Sequence, residues 1–130
     1  MLNLNLLPAP RSLKLLRGTF TLPKQKPLAA IKVVRSNSAP NHPEGYALTI
    51  SKDGIEISFH DAGGRRAAMA TFRQILREHG RRLPCLKIRD WPDFPRRGVM
   101  LDISRGRVPK LATLLDLAER LADLDRKSVV

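Results

Sequence analysis

Two short segments of alternating character flank an Asp-Gly turn, and this pattern constrains the fold more than any other feature of the sequence. Every second residue is apolar in residues 46–50 and again in residues 55–59. Asp53-Gly54 between them supplies the positive φ that a tight hairpin turn requires. Each arm then has one apolar and one polar face, which is typical of a sheet that is covered on one side only. The sequence predicts a β-hairpin whose apolar face needs a second layer.

A helix that follows the hairpin can supply that layer. After Asp61, apolar residues recur at helical spacing from Ala68 to His79, and Gly80 is a natural stop. A further strand is predicted at Cys85–Asp90, with additional strand candidates at residues 18–22 and 30–35. The predicted fold class is α+β: a small antiparallel or mixed sheet with a helix packed on one face.

The character of the chain changes after Asp90. Trp91-Pro92-Asp93-Phe94-Pro95 reads as a rigid linker, and residues 98–101 form a continuous apolar run, typical of a strand buried on both faces. Pro109 suits the first turn of an amphipathic helix that continues to Leu124. The pattern predicts one β-α unit of a parallel structure, and we expect no second parallel strand after it. The chain is therefore expected to be a truncated fragment, divided into residues 1–90, a linker at 91–96, the β-α unit at 97–124 and an atypical tail at 125–130.

The formal net charge of +12 is the largest compositional bias. It raises the expectation of polyanion binding, and the alternative function is a small basic nucleic-acid-binding module. Exposed arginines on one helix face (Arg66, Arg73, Arg77 and Arg81) support that alternative, but no aromatic residues accompany them to stack bases. Cys85 is the only cysteine, which excludes an intramolecular disulfide and favours a buried apolar role.

The stretch from Arg89 to Pro109 resembles the junction of glycoside hydrolase family 20, the β-N-acetylhexosaminidases. In that family a phrase of the type D-x-P-x-F-x-x-R-G-x-x-x-D-x-S-R leads into the first strand of the catalytic barrel. The matching residues here are Asp90, Pro92, Phe94, Arg97, Gly98, Asp102, Ser104 and Arg105. Upstream, residues 43–46 (PEGY) and the stretch from Asp61 to Gln74 also resemble the accessory domain of the family.

The resemblance implies a zincin-like N-terminal domain followed by the first strand and helix of a (β/α)8 barrel. It implies a hydrolase that removes terminal N-acetyl-hexosamine residues from glycans and uses the 2-acetamido group of the substrate as the nucleophile. An Asp-Glu pair serves that chemistry in the family. This sequence contains no adjacent Asp-Glu pair, so we expect no catalytic residue in the chain and no activity of the fragment alone.

The resemblance also assigns roles to individual residues. Arg105 matches the arginine that binds sugar hydroxyls, and its position just past a barrel strand fits that role. Asp102 is expected to support Arg105, and Arg97 to be structural. No cofactor and no metal ligand set is predicted. Trp91 is interpreted as interdomain packing rather than as a platform for sugar stacking.

The expected partner is an N-acetylhexosamine-containing glycan of the intact enzyme, with no specific nucleic acid and no membrane. The N-terminus lacks the usual order of a signal peptide, so a cytoplasmic location is the default expectation.

Overall fold

The computed structural model describes residues 4–124 and the backbone of residues 128–129. The chain divides into two compact units, Met1–Asp93 and Phe94–Val130. Each unit is described by itself below. The finer boundaries drawn from the sequence, at residues 90, 96 and 124, stay predictions.

The first unit is a five-stranded sheet with one helix against it. Its strands are β1 (Ser12–Thr21), β2 (Ile31–Arg35), β3 (Tyr46–Ser51), β4 (Gly54–Phe59) and β5 (Arg82–Asp90), and a 3-10 turn at Pro27–Ala30 precedes β2. The spatial order is β1-β5-β3-β4-β2. The β2–β4 pair is parallel and the other pairs are antiparallel. The prediction of a small mixed sheet with a helix on one face is confirmed.

The hairpin has the register that the alternation predicts. Leu48 pairs with Ile57 and Ile50 with Ile55, so the apolar side chains of both strands lie on one face. Leu48, Ile50 and Ile57 are completely buried. On the opposite face Thr49 pairs with Glu56, and these two side chains are partly and fully exposed, respectively.

Helix α1 (Ala62–His79) covers the apolar face of the sheet. Ala68, Phe72 and Ile75 lie in the same core cluster as the hairpin residues, as the spacing predicts. The helix ends at Gly80, whose φ of 60° is in the left-handed region that favours glycine.

The N-terminal part contributes more structure than the sequence indicates. β1 extends over ten residues, whereas the sequence pointed only to a short edge strand at residues 18–22. A register shift between Leu15 and Thr19 interrupts its pairing with β5, and Gly18 there has a φ of 106°. Leu6 precedes β1 and is buried in the core cluster. The side chain of Gln74 holds this segment by accepting from the N–H of Leu7 and donating to its carbonyl.

The second unit is a β-α-β arrangement. It contains β6 (Gly98–Val99), α2 (Leu111–Asp123) and β7 (Ser128–Val129), and β6 and β7 pair in parallel. The prediction that no second parallel strand follows the helix is therefore wrong. The sequence gives little sign of this strand, because only two residues form it and the residues that precede it are polar.

The apolar surface of the second unit is largely exposed. α2 has no buried residue, and the exposed apolar side chains include Met100, Val108, Leu111 and Leu115. An amphipathic helix without any buried residue leaves its apolar side uncovered within this unit. Within the described residues, no helix has both the length and the hydropathy that a bilayer-spanning segment needs.

Candidate functional site

The sequence-predicted site residues lie in the loop that joins β6 to α2. Arg105 is exposed in that loop. A guanidinium offers several donors in a fixed planar fork, which is suited to two neighbouring hydroxyls of a sugar. The loop follows the carboxyl end of β6, which is the end where α/β structures place ligands.

Asp102 lies in the same loop but turns its carboxylate toward Ser104. Its Oδ1 accepts from the Ser104 backbone N–H at 2.8 Å and from the Ser104 hydroxyl at 2.5 Å. These two bonds lower the pKa of Asp102 below its ordinary value. Among the described residues no bond joins Asp102 to Arg105. Its support of Arg105 stays a prediction, and what the geometry shows is an Asp-Ser turn that shapes the loop.

Arg97 lies before β6 and is half-buried. Its guanidinium donates to the carbonyl of Phe94, within the same unit. The contact closes the turn that leads into β6, and the structural role expected for Arg97 stays a prediction.

Two segments that resemble the family, residues 43–46 and the stretch that begins at Asp61, meet at one end of the first unit. The carboxylate of Asp61 caps α1 by accepting from the N–H of Gly64 at 2.8 Å, and it also accepts from the N–H of Glu44 at 2.9 Å. Burial alone would raise the pKa of Asp61, but the hydrogen bonds from Glu44 and Gly64 and the nearby His60 lower it overall. Asp61 thereby ties the 43–46 loop to the start of α1.

The same two segments touch through their glycines. A Cβ added to Gly64 would lie 2.2 Å from the carbonyl oxygen of Gly45. That oxygen also accepts from the N–H of His60 at 3.0 Å. Only a glycine at position 64 lets the helix approach the loop this closely.

A polar cluster connects this end of the sheet to the linker. The hydroxyl of Tyr46 lies 2.6 Å from Thr71 Oγ1 and 3.5 Å from Asp90 Oδ2. Burial raises the pKa of Asp90, although hydrogen bonds from the N–H groups of Arg11 and Trp91 oppose the change. The hydroxyl of Tyr46 on β3 thus links the last residue of β5 to α1.

Arg11 fastens the first residues of the linker. Its backbone N–H donates to Asp90 Oδ1 at 3.1 Å, its Nε donates to the carbonyl of Trp91 at 3.0 Å, and its Nη2 contacts the Asp93 carboxylate. Its guanidinium carbon lies 4.6 Å from the centre of the Trp91 ring, as in a cation–π contact. The sequence interpretation missed Arg11, because 79 residues separate it from Asp90 and no local pattern signals the contact.

Trp91 is occupied by contacts within the first unit. The ring of His42 stacks on it, with centroids 4.3 Å apart. Together with Arg11 this leaves the indole little role as a platform for a sugar ring. Cys85 is free and buried, which confirms its predicted apolar role.

Comparisons with known proteins agree with the family resemblance of the sequence. The model of the domain described as glycosyl hydrolase family 20, domain 2, matches residues 26–91. The α subunit of mouse β-hexosaminidase is 32% identical over 107 residues, and N,N'-diacetylchitobiase of Vibrio harveyi is 37% identical over 78 residues. The matched residues are 78% and 59% of this chain.

A solved structure shares the fold. The exo β-N-acetylglucosaminidase of Vibrio harveyi, solved in complex with N-acetylglucosamine, superposes with a TM-score of 0.77 at 21% identity, over 95% of this chain and 24% of that one. The architecture is thus that of a glycosyl hydrolase accessory domain. The chain belongs to glycosyl hydrolase family 20. It spans 20% of the mouse subunit and 9% of the chitobiase.

Proposed function

We propose that the chain is the N-terminal part of a β-N-acetylhexosaminidase that hydrolyses terminal N-acetyl-hexosamine residues of glycans. Its membership of family 20 and the names of its relatives support this proposal. The chain supplies the accessory domain and the first elements of the catalytic domain. It lacks an adjacent Asp-Glu pair, so it supplies neither the acid nor the residue that orients the acetamido group.

The second unit is proposed to be the start of a (β/α)8 barrel. One observation carries this reading: β6, α2 and β7 form a β-α-β unit with parallel strands, the repeating element of such barrels. Further strands and helices of a barrel would cover the exposed apolar side chains of this unit, which include Met100, Val108, Leu111 and Leu115.

Arg105 is proposed to bind two hydroxyls of the terminal sugar. Its loop follows β6, and its guanidinium is exposed, while Asp102 and Ser104 hold the loop by their own two bonds. The role of Asp102 is therefore to shape the loop, and through it to place Arg105.

The function is tested by turnover of a chromogenic N-acetylglucosaminide. We expect no hydrolysis by the purified 130-residue chain, and hydrolysis by a longer product of the same reading frame that contains an Asp-Glu pair. Turnover by the 130-residue chain at the rate of a complete relative would contradict the proposal, because the required carboxylates would then have to lie among residues that show no such pair.

The role of Arg105 is tested in a chimera. Residues 97–124 replace the equivalent segment of the Vibrio harveyi enzyme, and Arg105→Ala is compared with Arg107→Ala in the same loop. Loss of charged hydrogen bonds to two hydroxyls is expected to lower kcat/KM about 100-fold for Arg105→Ala, against about twofold for Arg107→Ala. Equal effects of the two variants would remove Arg105 from the sugar site.

A further inference from the structure

The sheet face that points away from α1 carries a row of aligned polar side chains. The strand registers place five residues side by side across all five strands, in the spatial order Lys14, Lys87, Thr49, Glu56 and Lys32. We call this set the cationic row. Four of its members are exposed and Thr49 is partly exposed. Neighbouring strands are about 4.8 Å apart, so the row crosses roughly 19 Å of flat surface.

Two lysines of the row face each other without a counter-charge. Lys14 and Lys87 are direct partners in the antiparallel β1–β5 pair. Like charges in that position repel each other and destabilise a sheet, whereas opposite charges stabilise it. Within residues 4–124 neither lysine has an ion pair. At the far end of the row, by contrast, Lys32 lies 3.5 Å from Glu56.

An anion placed over Lys14 and Lys87 would relieve this repulsion. The two ammonium groups are point charges on flexible side chains, so they can bind oxyanions of different geometry. Arg89, one row further along β5, adds a third positive charge, although one of its nitrogens already donates to the carbonyl of Ser38 at 2.9 Å. A shallow depression of about 640 Å³ next to these groups is lined by Lys87, Thr49, Ser51 and Glu56, among others.

The polar side chains beside the lysines indicate which class of anion would bind. Thr49 offers a hydroxyl and Glu56 a carboxylate, one oxygen of which also pairs with Lys32. Both groups can form hydrogen bonds with the hydroxyls of a sugar. The cationic row contains no aromatic side chain, so it lacks the platform on which nucleic-acid bases stack. We propose that this face of the sheet binds an acidic polysaccharide, whose charged groups lie on Lys14 and Lys87. The proposal goes beyond the hydrolytic function, because the row takes no part in bond cleavage.

The test compares two variants of equal charge on immobilised heparin. Lys14→Gln/Lys87→Gln and Arg65→Gln/Arg66→Gln each lower the formal net charge from +12 to +10. Arg65 and Arg66 are exposed in the first turns of α1. The lysine variant is expected to bind about tenfold more weakly, with the slope of log affinity against log salt reduced by about 2, and the arginine variant about twofold more weakly.

Two further measurements secure the interpretation. Lys14→Arg/Lys87→Arg keeps the charges and should bind like the unchanged protein, and the melting temperature of the glutamine variant should be equal or higher, because the repulsion is gone. Equal losses in the lysine and arginine variants would overturn the proposal in favour of diffuse charge attraction. Tighter retention on single-stranded DNA than on heparin, lost in the lysine variant, would overturn it in favour of nucleic acid. No hydrolysis is measured, so failure here leaves the proposed enzymatic function untouched.

Discussion

The imidazole of His42 lies parallel to the indole of Trp91, with ring centroids 4.3 Å apart and planes inclined by 9°. His42 belongs to the loop before β3, and Trp91 is the first residue after β5. The stack therefore joins a loop of the first unit to the beginning of the linker. Arg11, which lies over the same ring and bonds to the carbonyl of Trp91, completes the attachment.

Removing the stacking partner should loosen this attachment. His42→Ala is expected to lower the free energy of unfolding by about 1 kcal/mol, because a stacked pair contributes roughly that amount beyond area burial. The measurement is urea unfolding followed by circular dichroism. His60→Ala is the control. It keeps the backbone bonds of His60 to Arg35 and Gly45 and removes a side chain that only helps to lower the pKa of Asp61. A loss of stability in His60→Ala as large as in His42→Ala would show that the stack contributes nothing of its own.

Asp61 should give the protein a stability component that disappears in acid. Its pKa in the folded protein is below the ordinary value of 3.8, so its contribution is present above pH 3.8 and is lost as the pH falls through the folded-state pKa. Asp61→Asn is expected to cost about 1 kcal/mol at pH 7, because the neutral amide oxygen loses the negative charge that strengthens both hydrogen bonds and interacts favourably with the helix N-terminus. Urea unfolding from pH 2 to 7 should show the difference between the two proteins shrinking toward pH 2. A difference that is independent of pH would contradict the assigned role of the carboxylate.

Asp90 should show the opposite dependence on pH. Its pKa is raised in the folded protein, chiefly by burial, so its stabilising contribution is present below pH 3.8 and is lost as the pH rises through the folded-state pKa. Relative to the unchanged protein, Asp90→Asn is therefore expected to gain stability between pH 3 and pH 7. The same unfolding series measures it, and Asp61→Asn serves as a control of identical charge change. Parallel pH profiles for the two variants would show that net charge, rather than local environment, governs both.

The parts of the fold that follow a local period could be predicted from the sequence. Alternation gave the β3–β4 hairpin and its buried face, and helical spacing gave α1 with Phe72 and Ile75 in the core. Strand pairing over long distances has no such signal. Nothing local indicates that β2 pairs in parallel with β4, or that β5 lies between β1 and β3. β1 was underestimated, because the bulge near Gly18 breaks its alternation.

The residues of the candidate site also differ in whether a local sequence pattern indicates them. Arg105 and Asp102 could be singled out because they lie in a motif that is contiguous in sequence. The attachment of the linker could not, because Arg11 and His42 reach Trp91 from distant segments and neither residue type predicts such a contact. The bond between Asp102 and Ser104 was likewise not anticipated, although an Asp two residues before a Ser is typical of such turns.

The contact between Gly64 and Gly45 predicts a large effect of a single methyl group. A Cβ at position 64 would lie 2.2 Å from the carbonyl oxygen of Gly45 and 3.0 Å from its carbonyl carbon. Both are backbone atoms, and the oxygen is held by the N–H of His60. The helix or the loop must therefore shift. Gly64→Ala is expected to lower the free energy of unfolding by about 3 kcal/mol, at the upper end of overpacking effects.

Gly80→Ala is the matched control for this substitution. Its added Cβ would meet nothing within 4 Å, and only the φ of 60° opposes it. The expected loss is about 1–2 kcal/mol, because L-residues rarely combine a φ of 60° with a ψ of −133°. Both variants are measured by urea unfolding under the same conditions. If Gly64→Ala lost no more stability than Gly80→Ala, the close approach of α1 to the 43–46 loop would not be what fixes this end of the first unit.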